Sequence, residues 1–262
     1  MSTNERYLEP MTAGMILDRT FRLYVQNFSL MIGVTAMVQI PILALTVGAP
    51  LVRQFDPILG VIAAFAGLVG VLISFLLLTP LATGAATKAI SERYLGNDIT
   101  AVAALKFSWN YVGTLLLIQI VVGIIMAVGF FLLVIPGVFW WLSYLLVAPI
   151  AVLENSKDGG RVRRRSWRLV DGNRVKAFVV VFVLIFPQLL ISISLVLLQA
   201  SFGFGSLTGD VVSGVLSGLA GLLLYPLQAI AITLLYYDLR IRKEGFDLEM
   251  LTRATTNTET LA

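Results

Sequence analysis

Six long apolar stretches, separated by short segments that carry most of the charge, constrain this chain more than any other feature. They run over residues 29–52, 58–80, 111–135, 138–153, 175–199 and 212–236. A hydrocarbon core about 30 Å thick is crossed by a helix of about 20 mostly apolar residues. Only 13% of the residues are charged, against about 25% in soluble domains, so the natural solvent for this apolar surface is lipid. We predict an all-α integral membrane protein with six transmembrane helices in one polytopic domain over residues 1–262.

The basic residues predict how these helices are oriented. All 19 Lys and Arg residues except Arg53 lie in the N-terminal segment, in 88–106, in 157–176 or from residue 240 onward. Even numbers of stretches separate these regions, which places them on one face, and the positive-inside rule makes that face cytoplasmic. Both termini are therefore expected in the cytoplasm, and the expected location is a bacterial inner membrane. The polar N-terminus lacks the order of a cleaved signal peptide, so the first helix is expected in the mature protein.

Amphipathic segments precede the first, third and fifth stretches. In MILDRTFRLYVQNF, the apolar residues Leu17, Phe21, Tyr24 and Phe28 recur at helical spacing. AVAALKFSWNYV and GRVRRRSWRLV have the same character. Basic side chains beside aromatic ones suit the boundary between lipid and water, so we predict three interfacial helices.

An internal repeat is indicated by LLLTPLATGAAT at 76–87, which nearly recurs as LLLYPLQAIAIT at 222–233. The same offset of 146 residues relates Phe21 to Trp167, Pro41 to Pro187 and Pro80 to Pro226 without a gap. A shorter middle copy is indicated by Ser108-Trp109 and by LLVAPIAV at 145–152. Agreement of prolines and aromatic residues in one register favours duplication over chance similarity among apolar residues.

Each copy is predicted to be one interfacial helix followed by a transmembrane hairpin. The predicted boundaries are 12–98 for repeat unit 1, 101–157 for the shortened repeat unit 2 and 160–250 for repeat unit 3. Residues 251–262 are polar, have little to bury and are predicted to form a disordered tail. The spacing Gly214-Val-Leu-Ser-Gly218 allows close approach of helices in lipid and supports packing between the copies.

Prolines interrupt the apolar stretches at recurring positions. The candidate kink residues are Pro41, Pro80, Pro149, Pro187 and Pro226. A proline inside a helix removes one backbone hydrogen bond, and in lipid neighbouring groups must satisfy the freed carbonyl. Pro80, Pro149 and Pro226 are expected to bend helix ends toward the cytoplasmic interface. Pro41 and Pro187 lie deeper and favour a packing kink, while the alternative is a broken helix at a transport site.

The chain lacks the residue types on which most membrane chemistry depends. It has no cysteine and no histidine, and no phosphate-binding GxxxxGK[ST] or nucleophilic GxSxG motif. Glu154 and Asp238 lie at ends of the stretches, and no ionisable residue lies at central depth. The acidic residues Glu244, Asp247 and Glu249 alternate with basic ones and are typical of a solvated helix face. We therefore expect no catalytic residue, no metal site and no cofactor.

A basic cluster before the fifth stretch is the strongest electrostatic feature. Its members are Arg161, Arg163, Arg164, Arg165, Arg168, Arg174 and Lys176. Beside a membrane helix, such residues attract anionic lipid headgroups by about 1 kcal/mol each. We expect the partners to be anionic lipids of the cytoplasmic face. No nucleic-acid partner is expected, because the segment is short and tied to the bilayer.

Three phrases carry a family resemblance: YYDLRIRKEGFDLEML at 236–251, RSWRLVDGN at 165–173 and ILDRTFRLYVQNF at 16–28. They resemble bacterial multi-pass proteins similar to the membrane domain found beside glycerophosphoryl diester phosphodiesterases. In fused members a separate soluble barrel with essential histidines carries the hydrolase activity. This chain has no histidine, so the resemblance implies the membrane module alone and no catalytic residue.

These observations favour a non-enzymatic inner-membrane protein that serves as a membrane scaffold or partner-binding module. Its protein partner would be another membrane protein or a second copy of the chain. The alternative is a transporter or lipid-handling protein with a cavity between the repeats. An intramembrane enzyme is the least favoured hypothesis.

Overall fold

The structure is a computed structural model that describes residues 10–245. The α-helices are α1 (Ala13–Gln26), α2 (Phe28–Phe55), α3 (Pro57–Ile73), α4 (Thr79–Tyr94), α5 (Ala101–Trp109), α6 (Val112–Leu132), α7 (Val134–Ser143), α8 (Val147–Leu153), α9 (Gly159–Val170), α10 (Arg174–Phe202) and α11 (Leu207–Glu244). A π-helical turn, Ser74–Leu78, joins α3 to α4. The predicted tail at 251–262, the last residues of repeat unit 3 and the acidic residues Asp247 and Glu249 lie outside the described residues.

Six helical segments are long and apolar enough to cross a membrane, as predicted. They are Phe28–Phe55, Ile58–Tyr94, Val112–Leu132, Val134–Leu153, Arg174–Phe202 and Leu207–Glu244. The second extends well beyond the predicted stretch, because α4 continues through a charged turn to Tyr94. All-helical architecture over the described residues and six candidate spans are therefore confirmed.

The turn between the third and fourth spans differs from the prediction at Ile135-Pro136-Gly137. Helix α6 ends at Leu132, Leu133 is extended with φ −162° and ψ 148°, and α7 begins at Val134. Pro136 thus lies in the first turn of α7, where its missing N–H has no helical partner to lose. A Cβ on Gly137 would lie 2.6 Å from Cδ1 of Phe130, so glycine is needed there for close packing of the hairpin.

The candidate kink prolines fall into different structural settings. Helices α2 and α10 continue through Pro41 and Pro187 without interruption, so neither helix is broken as the transport alternative supposed. Pro80 follows the π-helical turn, and Pro226 lies buried inside α11. The fourth span breaks at residues 144–146 rather than at Pro149, which occupies the first turn of α8, where no donor is required.

Three short amphipathic helices pack at one end of the bundle. Helix α1 contacts α10 and α11, α5 contacts α4 and α2, and α9 contacts α8, α6, α7 and α11. Their buried residues include Ile16, Leu105 and Val162, which join a core formed with Ile150 and Leu234 of the spans. We call this end of the bundle the charged end. The opposite end holds the connections at Asp56, at Leu133 and at residues 203–206.

Helices α2 and α11 approach each other closely through small residues. A Cβ on Gly214 would lie 3.4 Å from Cγ2 of Val47, and one on Gly218 would lie 2.9 Å from Cδ1 of Leu43. One turn closer to the charged end, a Cβ on Gly221 would overlap the Gln39 side chain. The glycine spacing noted in the sequence therefore serves packing within one chain.

Candidate anionic-lipid site

Helix α9 carries most of the predicted basic cluster and begins at a well-formed cap. Asp158 accepts hydrogen bonds from the backbone N–H of Arg161 at 3.1 Å and of Gly160 at 2.9 Å. The hydrogen bond from the backbone N–H of Arg161 contributes most to lowering the pKa of the exposed Asp158 carboxyl, against a smaller opposing effect of desolvation. The ionised cap fixes the start of the helix.

The inner face of α9 is attached to the break in the fourth span. Ser166 is buried, and its hydroxyl donates to the backbone oxygen of Ser143 at 2.8 Å. The same hydroxyl accepts from the backbone N–H of Leu146 at 3.2 Å. Val162 and Leu169 are buried on the same side. This attachment determines which arginines point away from the protein.

An open pocket of about 510 Å³ lies along the outer side of α9. It is lined by Arg161, Arg163, Arg164 and Arg168 together with Gly160, Tyr144 and Trp167. Within residues 10–245, the four guanidinium groups form no ion pair or hydrogen bond. Guanidinium groups bind phosphate oxygens through paired hydrogen bonds, and Trp and Tyr are the side chains typical of the membrane interface. The pocket is therefore chemically suited to a phosphate-bearing lipid headgroup.

Arg165 belongs to the same predicted cluster but has an internal role. Its two terminal nitrogens donate to the carboxylate of Glu244, each at 2.8 Å, and its Nε pairs with Glu154. Burial lowers the pKa of Arg165, but the hydrogen bonds with Glu244 and Glu154 raise it by more, so it stays above its ordinary value. Arg165 thus joins α9 to α8 and α11.

Arg174 and Lys176 are also engaged within the protein. Arg174 pairs with Asp171 at 2.5 Å, and its guanidinium lies 4.2 Å from the ring centroid of Phe139. Lys176 pairs with Asp238 and donates to the backbone oxygen of Met11. The predicted cluster of seven therefore divides into four residues around one pocket and three that stabilise the packing.

Asp238 is the centre of a charge network that sequence reasoning missed. The residue is fully buried and accepts from the backbone N–H of Met11 at 2.7 Å and from Nε of Arg242 at 3.1 Å. Lys176 completes the network. The spacing of Asp238 and Arg242 is a helical i,i+4 pair that the sequence does contain. The distant partners, Lys176 and the backbone N–H of Met11, have no local signal in the sequence.

Replacement of Arg165 by lysine is expected to lower the free energy of unfolding by about 1–3 kcal/mol. An ammonium group is a point charge and cannot bridge Glu154 and Glu244 as the planar guanidinium does. Denaturant titration of the purified protein measures the change. Arg163→Lys, on the open side of the same helix, is the control and should leave the midpoint unchanged. Equal effects of the two substitutions would show that the bridge contributes nothing.

Comparisons of the chain with protein-family models, with curated protein sequences and with solved structures found no match.

Proposed function

We propose that this protein is a non-enzymatic scaffold of a bacterial inner membrane that holds anionic phospholipids at the charged end. One observation carries the proposal: four guanidinium groups without partners in the described chain surround a pocket that also contains Trp167 and Tyr144. Elsewhere on the charged end, Arg165, Arg174 and Lys176 are paired with carboxylates. Asp158 at the cap attracts Arg161 and Arg164, but it forms no ion pair with them in the described chain. An anionic headgroup supplies the direct partner that the four guanidinium groups lack.

The charged end lies on the cytoplasmic side in this proposal. The basic residues of α4, α5, α9 and the last turn of α11 are all at that end, and Arg53 is the described basic residue at the other. This is the asymmetry that the positive-inside rule associates with the cytoplasm. The resemblance to a membrane domain without hydrolase residues stays a prediction that agrees with this assignment.

Three repeated units form the scaffold in this proposal. Helices α1 and α9 begin at Ala13 and Gly159, and α2 and α10 begin at Phe28 and Arg174, the same offset of 146 residues in both pairs. Ser91 and Tyr237, which differ by that offset, share a hydrogen bond of 2.7 Å.

The short helices join neighbouring units in a similar way. The buried hydroxyl of Ser108 in α5 donates to the backbone oxygen of Leu81 in α4 at 2.9 Å. Ser166 makes the corresponding bond to Ser143 in the fourth span. Each bond ties a short helix to the hairpin before it, which supports a rigid scaffold over a set of independent hairpins.

Removal of two pocket arginines tests the lipid site. With Arg161 and Arg164 both changed to glutamine, binding of phosphatidylglycerol in detergent micelles is expected to weaken about thirtyfold, at about 1 kcal/mol for each lost hydrogen-bonding contact. Native mass spectrometry of the delipidated protein titrated with phosphatidylglycerol measures this. A micelle of neutral detergent presents no charged surface, so direct contacts dominate the measurement.

A second double variant controls for the loss of charge. Lys106→Gln with Lys157→Gln removes the same charge from exposed positions of the same end that do not line the pocket. This variant should keep the affinity of the unaltered protein. Equal weakening by both variants would contradict a defined site and indicate general attraction to the basic surface.

The transporter alternative draws less support from the packing. A passage through the bundle has to pass the charged end, where Leu146, Ile150 and Leu234 are fully buried in one continuous core. Toward that end, α2 and α11 also close on each other at Gly218 and Gly221. Helices α2 and α10 stay helical at Pro41 and Pro187, so neither has the unwound segment on which a binding site of the broken-helix kind depends.

A further inference from the structure

A groove of about 430 Å³ lies toward the opposite end of the molecule, between α2, α10 and α11. Its polar lining consists of Thr46, Ser192, Gln199, Asp210, Ser213 and Ser217. Ser217 lies two helical turns from Asp210, so the polar lining extends about 10 Å from the mouth of the groove toward the centre of the bundle. A polar groove at this depth is unusual in helices that otherwise present apolar side chains to lipid.

The hydroxyl groups in the groove act as acceptors. The four hydroxyls of Thr46, Ser192, Ser213 and Ser217 each donate to a backbone oxygen three or four residues earlier, at distances of 2.6 to 3.1 Å. Each hydroxyl has a single hydrogen, so what remains available to a ligand is the oxygen lone pairs. A ligand that brings hydrogen-bond donors therefore fits these hydroxyls without breaking the bonds that they already make.

One carboxylate lines the mouth of the groove, and one guanidinium lies beside that carboxylate. Asp210 accepts from Nε2 of Gln199 at 2.8 Å, which leaves further lone pairs on its carboxylate. Arg53 lies 3.4 Å from Asp210 and also donates to the backbone oxygen of Gly205. The Arg53 side chain is 50% exposed, whereas that of Asp210 is 17% exposed. Positive charge thus lies toward the outside and negative charge toward the inside.

We propose that this groove binds a phospholipid whose headgroup carries both a phosphate and a primary ammonium. The ammonium group contacts Asp210, and its remaining N–H groups reach the hydroxyl oxygens below, directly or through water. The phosphate contacts Arg53, whose long contact to Asp210 is readily exchanged for a phosphate oxygen. A quaternary ammonium has no N–H donor and leaves the carboxylate and hydroxyl oxygens of the groove without a hydrogen-bond partner.

The shape of the groove supports a bound headgroup over a transported one. Beyond Ser217, the groove ends where Gly218 packs on Leu43 and Gly221 packs on Gln39. A headgroup can enter from the membrane surface and stop there, with its acyl chains along the exposed surface of α10. This site shares no residue with the α9 pocket, so the two proposals can be tested independently.

Lipid titrations of the full-length, delipidated protein test this proposal by native mass spectrometry. Phosphatidylethanolamine is expected to bind more tightly than phosphatidylcholine, which differs only in methylation of the ammonium. Asp210→Asn keeps the shape but removes the charge, and it is expected to weaken phosphatidylethanolamine binding about tenfold, the loss of one charge-assisted hydrogen bond. Binding of phosphatidylcholine should weaken less, because its trimethylammonium loses only the charge attraction and no hydrogen bond.

A steric pair on one helix provides a second, independent arm. Ser192→Phe fills the groove and should abolish the preference for phosphatidylethanolamine. Ser194→Phe is the control, because Ser194 is exposed on the same helix and does not line the groove. If Asp210→Asn alters the melting temperature, its effect on lipid binding could come from unfolding. The Ser192→Phe and Ser194→Phe pair then tests the groove without that substitution.

Several outcomes would overturn the proposal. Equal affinities of the unaltered protein for phosphatidylethanolamine and phosphatidylcholine would do so, and so would equal losses in the Ser192 and Ser194 variants. The double variant of Arg161 and Arg164 should keep the phosphatidylethanolamine preference while losing phosphatidylglycerol. One set of measurements therefore distinguishes a wrong assignment of the groove between α2, α10 and α11 from a wrong assignment of the α9 pocket.

Discussion

Replacement of Asp238 by alanine is expected to lower the free energy of unfolding by about 3–5 kcal/mol. The carboxylate is fully buried and neutralises Lys176 and Arg242 while it holds the backbone N–H of Met11. Without it, two positive charges stay close together with no counter-charge, and a buried N–H loses its acceptor. Denaturant titration of the purified protein, followed by tryptophan fluorescence, measures the loss.

Asp98 provides the matched control for this substitution. It also pairs with an arginine, Arg93, but its side chain is 92% exposed, so Asp98→Ala should change stability by less than about 1 kcal/mol. Lys176→Met added to Asp238→Ala should restore part of the lost stability, because it removes one of the uncompensated charges. Equal effects of Asp238→Ala and Asp98→Ala would mean that the buried network does not stabilise the fold.

Replacement of Gly218 by leucine is expected to destabilise the protein by about 1–3 kcal/mol. A Cβ at this position would already lie 2.9 Å from Cδ1 of Leu43 and 3.5 Å from its Cβ, so a leucine side chain displaces Leu43 and strains the contact of α2 with α11. The displacement also disturbs the neighbouring contact of Gly221 with Gln39. The same denaturant titration measures the effect.

Gly123→Leu separates this steric effect from the general effect of replacing a glycine. Gly123 lies inside α6, and a Cβ there meets no atom within 4 Å. The control should therefore keep the stability of the unaltered protein or raise it slightly, since leucine has the higher helix propensity. A loss as large as that of Gly218→Leu would contradict close packing of α2 on α11 as the cause.

The fold could be predicted from the sequence wherever the signal was local. Apolar length identified the six spans, and apolar spacing identified α1, α5 and α9. The turn at Leu133 could not be found in this way, because it consists of apolar residues and depends on the packing of Gly137 against Phe130. The break at 144–146 also lies among apolar residues and has no local signal. A bend was predicted at Pro149 instead, but this proline lies in the first turn of α8, where it fits without distortion.

The candidate site was only partly predictable. Composition identified seven basic residues, and helical spacing could have separated Arg165, which shares a face with Val162 and Leu169, from the outward-facing arginines. The partners of Arg174 and Lys176 required the tertiary structure. The groove between α2, α10 and α11 could not be predicted, because its polar residues come from three separate helices. Single Ser and Thr residues are common in transmembrane helices and do not by themselves indicate a site.

The attachment of Met11 to Asp238 has a consequence for how the protein is made. The two residues are 227 positions apart, and α11 is the last helix described. At about 5–20 residues per second, the ribosome needs roughly 10–45 s to synthesise the intervening chain. Until then α1 lacks the helix on which it finally packs, while α5 and α9 already have theirs in α4 and α8. The packing of α1 therefore cannot be completed until α11 has been made, and α1 waits longer for its main partner than α5 and α9 wait for theirs.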